Sequence, residues 1–290
     1  MKKCRDTLNF SPVKGGREIL ARGLLNMNYG NHNCRKTGPR ITADSCKDES
    51  TRCNYCLESE NSCVPLGNRI GGNKAEAARA LDIEVRLILS MNRHESVEIG
   101  ESVLAAALNF RDRGVVALDL AGNEHDFPAE PFWGLFEHAK ESGLGVTIHA
   151  GEWGGASNVR EAVERLHADR VGHGVRAIED PALIEWLIER GTVLEVCPTS
   201  NIQSGVVLDW AHHPLKQLFV NQVLTTINTD DPLVSNITLS DEIVRVVEDM
   251  GLGLENMKRQ TLTAAQAAFL PEDERSALVA KFEALLTPAL

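Results

Sequence analysis

The sequence of 290 residues contains no run of about 18 apolar residues, as a membrane-spanning helix requires. Its start, MKKCRDTLNF, lacks the apolar stretch of roughly 7–15 residues that a secretory signal needs. Positive charge is also scarce, since 30 Lys and Arg face 41 Asp and Glu for a net charge of −11. Long-range repulsion therefore disfavours nucleic acid and anionic membranes as partners. The apolar content of 43% suits globular domains. Because the sequence shows neither a membrane-spanning run nor a secretory signal, we expect a soluble cytoplasmic protein.

Cysteine is rare over most of the chain, because six of the seven cysteines precede residue 64 and only Cys197 follows. Residues 1–73 also carry 12 Lys and Arg against 7 Asp and Glu, whereas the remainder carries 18 against 34. These two compositions predict a Cys-rich, basic, atypical N-terminal segment over residues 1–73. An acidic β/α domain is predicted over residues 74–290.

Within the N-terminal segment, Cys46, Cys53, Cys56 and Cys63 have the spacing C-x6-C-x2-C-x6-C. Two thiolates of the central CNYC could hold one metal ion in a zinc knuckle. A disulfide framework is a second interpretation, which a cytosolic setting disfavours. The third, which we favour, is a segment without a stable core, because few β-branched or aromatic residues are available to bury.

From residue 74 onward, short apolar runs alternate with windows that have helical apolar spacing. The predicted strands are residues 83–89, 114–119, 145–149, 170–172, 192–196 and 223–228. The predicted helices after the first strand are residues 97–110, 131–142, 158–167, 181–190, 214–221, 241–250, 254–268 and 272–286. This alternation predicts a parallel α/β fold, either a doubly wound sheet or a (β/α)8 barrel. No Gly-rich phosphate loop follows any strand, and polar residues end nearly every strand, which favours the TIM-type barrel.

Three of these strand ends carry residue types suited to catalysis at a metal. His149 ends a strand, and Glu152 follows three residues later, which pairs a metal ligand with a proton shuttle. His173 lies between two glycines that allow a sharp turn. Asp230 and Asp231 stand side by side after a buried strand, where burial and mutual repulsion are costly without a cation. The alternatives are a polar residue satisfied at the strand end, a turn histidine and helix-capping aspartates.

Five motifs occur in a fixed order: LDLAGNE at residues 118–124, TIHAGE at 147–152, VGHGVRAIEDP at 171–181, LEVCPTSN at 194–201 and NTDDP at 228–232. From about residue 83 to the C-terminus, the chain resembles the adenosine deaminase family, especially its bacterial members. The resemblance implies a TIM-type barrel of the metal-dependent hydrolase kind. It also implies hydrolysis of adenosine or 2′-deoxyadenosine to the inosine product and ammonia in purine salvage.

The resemblance implies Zn²⁺ as the cofactor, with His149 and Asp230 as its ligands. It places His173 beside the activated water. Bound zinc lowers the pKa of water from about 15.7 toward 7, which supplies a nucleophile at neutral pH.

The resemblance further implies a small-molecule purine nucleoside as the binding partner. Glu152 would donate a proton to purine N1, so that the ring accepts the electron pair displaced by attack at C6. Asp231 would contact the purine or orient the attacking oxygen, and the backbone of Gly122 would meet the purine. The sequence leaves the oligomeric state open.

The chain departs from the family pattern near its start. The family supplies two further zinc ligands as an H-x-H pair after the first barrel strand, and none of the nine histidines here forms H-x-H. We therefore expect the first one or two β/α units to be missing or altered. Two ligands fall short of those needed for firm zinc binding, so we predict a poorly active or inactive monomer. His32 with Cys34 is a less favoured substitute pair.

Two other functional readings stay open on sequence grounds. One is a related deaminase of adenine or another 6-aminopurine, and the other is a non-catalytic, deaminase-like interaction protein. Among smaller features, His212 and His213 are predicted to lie in a surface loop rather than to bind a metal. Cys197 is predicted to be a buried apolar residue. Arg93 is interpreted as shaping the pocket or forming an ion pair in a loop.

Overall fold

A computed structural model describes residues 84–287 of the chain. Its six strands are β1 (Leu87–Asn92), β2 (Val115–Ala121), β3 (Gly145–Ala150), β4 (Arg170–His173), β5 (Val193–Val196) and β6 (Leu224–Ile227). All neighbours pair in parallel, in the order β1-β2-β3-β4-β5-β6. This order never reverses, whereas a doubly wound sheet reverses at its switch point.

The unbroken winding confirms the prediction of a TIM-type α/β fold. Within residues 84–287 the sheet has six strands, fewer than the eight of a closed barrel. This agrees with the expectation that the first units are missing or altered. The proposed segment 1–73, its cysteines, His32 and the boundary at residue 74 lie outside the described residues, so those statements stay predictions.

Helices follow the strands and cover the sheet. They are α1 (Val97–Asn109), α2 (Trp133–Glu141), α3 (Ala156–Glu164), α4 (Pro181–Arg190), α5 (Pro198–Gln203), α6 (Leu215–Val220), α7 (Pro232–Ser235), α8 (Leu239–Glu248), α9 (Leu254–Gln266) and α10 (Glu272–Leu286). Within residues 84–287, no helix combines the length and apolarity needed to cross a membrane.

Local sequence signals explain where α4 begins and ends. The Asp180 carboxylate accepts hydrogen bonds from the backbone N–H groups of Ala182 and Leu183, and Pro181 occupies the first helical turn. Gly191 adopts a left-handed conformation with φ of 66° directly after the helix. The predicted helix at residues 181–190 therefore coincides with the observed one.

The strands are buried on both faces, but the two faces differ in chemistry. Leu118 and Leu120 of β2 belong to the hydrophobic core, whereas Asp119 between them is buried and polar. Thr147 of β3 donates a hydrogen bond to Glu195 of β5 at 2.5 Å, across the intervening strand β4. Alternation along β2 and β3 thus places apolar side chains against the core and polar side chains on the other face. That polar face leads to the functional site.

Candidate active site

His149, His173 and Asp230 meet at the carboxyl ends of β3, β4 and β6. One potential ligand atom from each residue lies within 4.8 Å of the others. Both histidines are buried and Asp230 is half-buried. Because parallel strands end at one rim, residues far apart in the sequence converge there. The sequence assigned His149 and Asp230 to the metal, and the structure adds His173 to the same cluster.

The imidazole of His149 is held by a carboxylate. Its Nδ1 donates to Asp119 Oδ1 at 2.8 Å, and Ser90 Oγ donates to Asp119 Oδ2 at 2.7 Å. This arrangement fixes the ring and leaves Nε2 available to a metal, as carboxylate–histidine pairs commonly do. Burial acts to lower the pKa of His149, but the charge and hydrogen bond of Asp119 raise it to about 9. A metal ion at Nε2 would displace the extra proton.

Asp230 and His173 both have unusual backbone conformations. Their φ angles are 57° and 61°, in the left-handed region that residues other than glycine rarely adopt. Ser200 Oγ donates to Asp230 Oδ2 at 2.7 Å, and His173 Nε2 lies 4.0 Å from the same oxygen. Left-handed residues of this kind persist where the surrounding structure enforces them and are frequent in functional sites.

Glu152 reaches the same cluster from the loop after β3. Its Oε2 lies 3.4 Å from His173 Nε2. Burial raises the pKa of Glu152 to about 7, the negative charges of Asp230 and Glu124 add to this increase, and His149 opposes it. A carboxyl group with such a pKa can carry a proton at neutral pH and donate it, as a general acid requires.

Two buried charged residues hold the loop that carries Glu152. Glu124 accepts hydrogen bonds from the backbone N–H groups of Gly151 at 2.9 Å and Glu152 at 2.6 Å. Arg93 Nη2 donates to the backbone carbonyl of His149 at 2.6 Å. Glu124 ends the LAGNE motif, but its role as acceptor of the bonds from Gly151 and Glu152 joins residues 27 and 28 positions apart, which the motif does not predict. Arg93 hydrogen-bonds the backbone of a site residue and is not merely a loop ion pair.

Gly122 and Asp231, the other two predicted site residues, each have a local structural role. Gly122, at the end of β2, has a φ of 98°, and a Cβ there would come within 2.3 Å of Asn92 Oδ1, so only glycine fits. The Asp231 carboxylate accepts from the backbone N–H groups of Leu233 and Val234 and caps α7. The capping alternative is therefore observed for Asp231, and its catalytic role and the purine contact of Gly122 stay predictions.

A buried polar chain lies behind His173. Asn201 Nδ2 is 3.1 Å from His173 Nδ1, and Asn201 Oδ1 is 3.4 Å from His213 Nε2. The surface-loop prediction holds for His212, which is exposed, but is wrong for His213, which is buried. The spacing of apolar residues does not predict the burial of a histidine whose ring is hydrogen-bonded inside the protein.

A cavity of about 20 Å³ lies between the converging groups, enough for roughly one water molecule or ion. It is lined by His149, Gly172, His173, Glu195, Cys197, Asn228 and Asp230. Burial raises the pKa of the Cys197 thiol well above its usual value, so a thiolate nucleophile is disfavoured. The predicted burial of Cys197 is confirmed.

Imidazole and carboxylate donors at the carboxyl ends of strands in a TIM-type sheet define the class of metal-dependent hydrolases. Residues 68–285 match the family described as adenosine deaminase. The chain belongs to that family.

Curated relatives include adenosine deaminases from two bacteria. That of Erwinia tasmaniensis is 41% identical over 215 residues, which cover 74% of this chain and 64% of the relative. That of Clostridium acetobutylicum is 37% identical over 203 residues, covering 70% of this chain and 60% of the relative. The chain thus matches less than two thirds of the length of these relatives.

Solved structures with a similar fold include two deaminases and an amidohydrolase. An adenine deaminase from Arthrobacter aurescens has a TM-score of 0.66 and 25% identity, and covers 77% of this chain and 69% of that protein. An amidohydrolase from Burkholderia ambifaria with bound Zn has a TM-score of 0.68 and 26% identity, covering 76% and 62%. The Arabidopsis N6-mAMP deaminase has a TM-score of 0.64 and 27% identity, covering 70% and 60%.

Proposed function

We propose that this chain carries the site for hydrolytic deamination of adenosine and 2′-deoxyadenosine, which yields the inosine product and ammonia. The observation that carries the proposal is the convergence of His149 and Asp230 at one small buried cavity, with Glu152 Oε2 3.4 Å from Nε2 of His173, which lines the same cavity. Membership of the adenosine deaminase family supports the same reaction. The substrate partner is a small-molecule purine nucleoside, and the cytoplasmic location stays a prediction.

The donor set fits a zinc ion. Asp119 occupies Nδ1 of His149 and leaves Nε2 available, and Asp230 contributes a carboxylate at the same cavity. One imidazole nitrogen and one carboxylate oxygen are ligands that suit Zn²⁺. We propose that His149 and Asp230 hold Zn²⁺, which supplies a water whose pKa falls from about 15.7 toward 7.

The other predicted site residues account for the rest of the chemistry. Glu152, protonated near neutral pH, donates its proton to purine N1, and C6 then becomes more electrophilic toward the attacking water. We propose that His173 and Asp231 orient this water, and that Asp231 accepts its proton for transfer to the departing amine. The backbone of Gly122 contacts the purine.

We expect low activity for this polypeptide. The described residues offer two ligands for the metal under this assignment, and zinc sites typically use about three or four protein ligands. The test measures zinc per purified chain by elemental analysis and the loss of adenosine absorbance with added Zn²⁺. Slow turnover that Glu152→Gln abolishes supports the proposal. Near-stoichiometric zinc with rapid turnover contradicts the expected low activity, and slow turnover unaffected by Glu152→Gln contradicts the assigned site.

A second substrate class has its own support. The fold is similar to an adenine deaminase and to an N6-mAMP deaminase, at 25% and 27% identity. A panel of adenosine, 2′-deoxyadenosine, adenine and N6-methyl-AMP separates these classes. If the protein prefers adenine or N6-methyl-AMP, that compound replaces the nucleoside as the proposed substrate. If adenosine, 2′-deoxyadenosine and adenine release no ammonia and N6-methyl-AMP releases no methylamine, the non-catalytic interpretation is favoured.

A further inference from the structure

The buried chain behind the cavity joins three polar side chains that the proposed mechanism does not otherwise use together. His173, Asn201 and His213 are 2%, 0% and 5% exposed. His173 ends β4, Asn201 lies in α5, and His213 precedes α6. Because an imidazole and an amide can each donate on one side and accept on the other, the direction of every bond depends on its neighbour.

A backbone group fixes this direction at one end. The backbone N–H of Leu215 can only donate, and it points to His213 Nδ1 at 3.1 Å. Nδ1 of His213 must therefore be unprotonated. Burial lowers the pKa of His213 to about 4, so the ring is neutral at physiological pH and its proton lies on Nε2. That Nε2–H faces Asn201 Oδ1 at 3.4 Å, which accepts.

The amide of Asn201 carries the direction onward. With its oxygen toward His213, its Nδ2 faces His173 Nδ1 at 3.1 Å and donates. His173 Nδ1 is then an acceptor, so a neutral His173 carries its proton on Nε2. This nitrogen lies toward the cavity, 3.4 Å from Glu152 Oε2 and 4.0 Å from Asp230 Oδ2.

We propose that the chain from Leu215 through His213 and Asn201 holds His173 in the Nε2–H tautomer, which makes it a hydrogen-bond donor to the cavity and not a metal ligand. His149, whose ring centroid lies 5.1 Å from that of His173, has the opposite arrangement because Asp119 accepts from its Nδ1. A metal ligand needs a bare ring nitrogen. The hydrogen-bond partner behind each ring, Asp119 for His149 and Asn201 for His173, thus gives the two adjacent imidazoles different roles.

Asn201 and His213 are therefore positioning residues for His173. Their effect on catalysis depends on the proposed function, but the tautomer of His173 does not. In Asn201→Asp, the donor becomes an acceptor, so His173 must place a proton on Nδ1. Its Nε2 can then lose its proton and become a third ligand. We expect this variant to bind zinc about tenfold more tightly, the scale of changes behind metal-ligating histidines, and to turn over more slowly.

The test is a long-range ¹H–¹⁵N spectrum of the full chain labelled with ¹⁵N-histidine, with His173→Gln identifying the signals. We expect an unprotonated Nδ1 and a protonated Nε2 for His173. The reverse tautomer or an imidazolium overturns the proposal. This spectrum does not depend on turnover, so an inactive protein with the expected tautomer contradicts only the proposed function.

Variants extend the test. Asn201→Asp should move the His173 proton to Nδ1, and unchanged His173 signals in a folded variant would overturn the proposal. His212→Gln, at the exposed neighbour of His213, is the matched control and should leave the His173 signals unchanged. If Asn201→Asp does not fold, the spectrum of the wild-type chain still decides.

Discussion

Asp119, whose carboxylate lies behind His149, acts on metal affinity through that proposed ligand. Asp119 is fully buried, accepts from His149 Nδ1 and Ser90 Oγ, and so fixes the ring while it increases its basicity. A partner of this kind typically contributes a factor of about 10–100 in metal affinity.

Asp119→Asn should weaken zinc binding by about 10- to 100-fold, since the amide keeps the shape but loses the charge that favours the His149–metal contact. Competition for zinc against a chelator of known affinity measures the change. Asp209→Asn is the matched control, because Asp209 Oδ1 forms an exposed contact of 2.7 Å with His212 Nδ1. Equal losses in the two variants would contradict the role of Asp119.

Glu152→Gln should stabilise the metal-free protein above neutral pH. Burial raises the pKa of Glu152 from 4.5 to about 7, so the folded protein binds this proton more tightly than the unfolded chain. The wild-type protein therefore has this stability in full below about pH 4.5 and loses it as pH rises to about 7. Gln mimics the protonated acid, so the variant should gain about 3 kcal/mol over the wild type above that window.

Urea unfolding between about pH 4 and pH 8, with chelator present, checks this prediction. The difference between Glu152→Gln and the wild type should grow with pH and then level off. The same substitution at Glu185, on an exposed position of α4, is the control. A difference that stays constant with pH would show that Glu152 is not a buried acid.

At the scale of elements, Asp231 has two roles that can be tested separately: it caps the short helix α7, and it is proposed to act in catalysis. Its carboxylate caps the helix by accepting from Leu233 and Val234, yet the family resemblance assigns the same residue to catalysis. Capping needs only a side-chain oxygen, which Asn also supplies. Only the proposed catalytic role of Asp231 requires its charge.

Asp231→Ala should therefore lower the free energy of unfolding by about 1 kcal/mol, whereas Asp231→Asn should stay close to the wild type. Urea denaturation measures both. If Asn restores stability but not turnover, the charge of Asp231 acts in catalysis. If Asp231→Asn is as unstable as Asp231→Ala, the stabilising effect of Asp231 is not due to capping by a side-chain oxygen.

Element positions were largely predictable from sequence, and their ends less so. The predicted strand at residues 145–149 corresponds to β3, because alternation and flanking glycine are local signals. The helix predicted at residues 241–250 begins earlier, at Leu239, since Thr238 and Asp241 form a capping box. Thr238 and Asp241 stand three residues apart, so this capping box could have been recognised in the sequence and would have placed the helix start better than apolar spacing did.

At the scale of the whole molecule, metal binding and folding should be coupled. The donors of the site come from β3 and from the segment after β6, so a metal held by both joins distant parts of the sheet. A ligand that binds only the folded state adds about 2.7 kcal/mol of stability at 100 times its dissociation constant.

Added Zn²⁺ should accordingly raise the Tm of the full chain, and the increase should be much smaller in His149→Gln. Scanning calorimetry over a zinc titration measures both. His125→Gln, at an exposed histidine, is the matched control and should retain the full increase. Mg²⁺, which prefers all-oxygen sites, should have little effect. An equal zinc response in His149→Gln would place the metal elsewhere.

The sequence by itself determined the alternation of strands and helices, the TIM-type class and the family, since these depend on apolar periodicity and on contiguous motifs. It also placed His149, His173 and Asp230 at strand ends, which parallel pairing brings to one rim. Only the tertiary structure decided the partner of each group: Asp119 behind His149, Glu124 on the Glu152 loop, and His213 buried in contact with Asn201. Those hydrogen bonds join residues distant in the chain, and no local pattern specifies which donor will meet which acceptor.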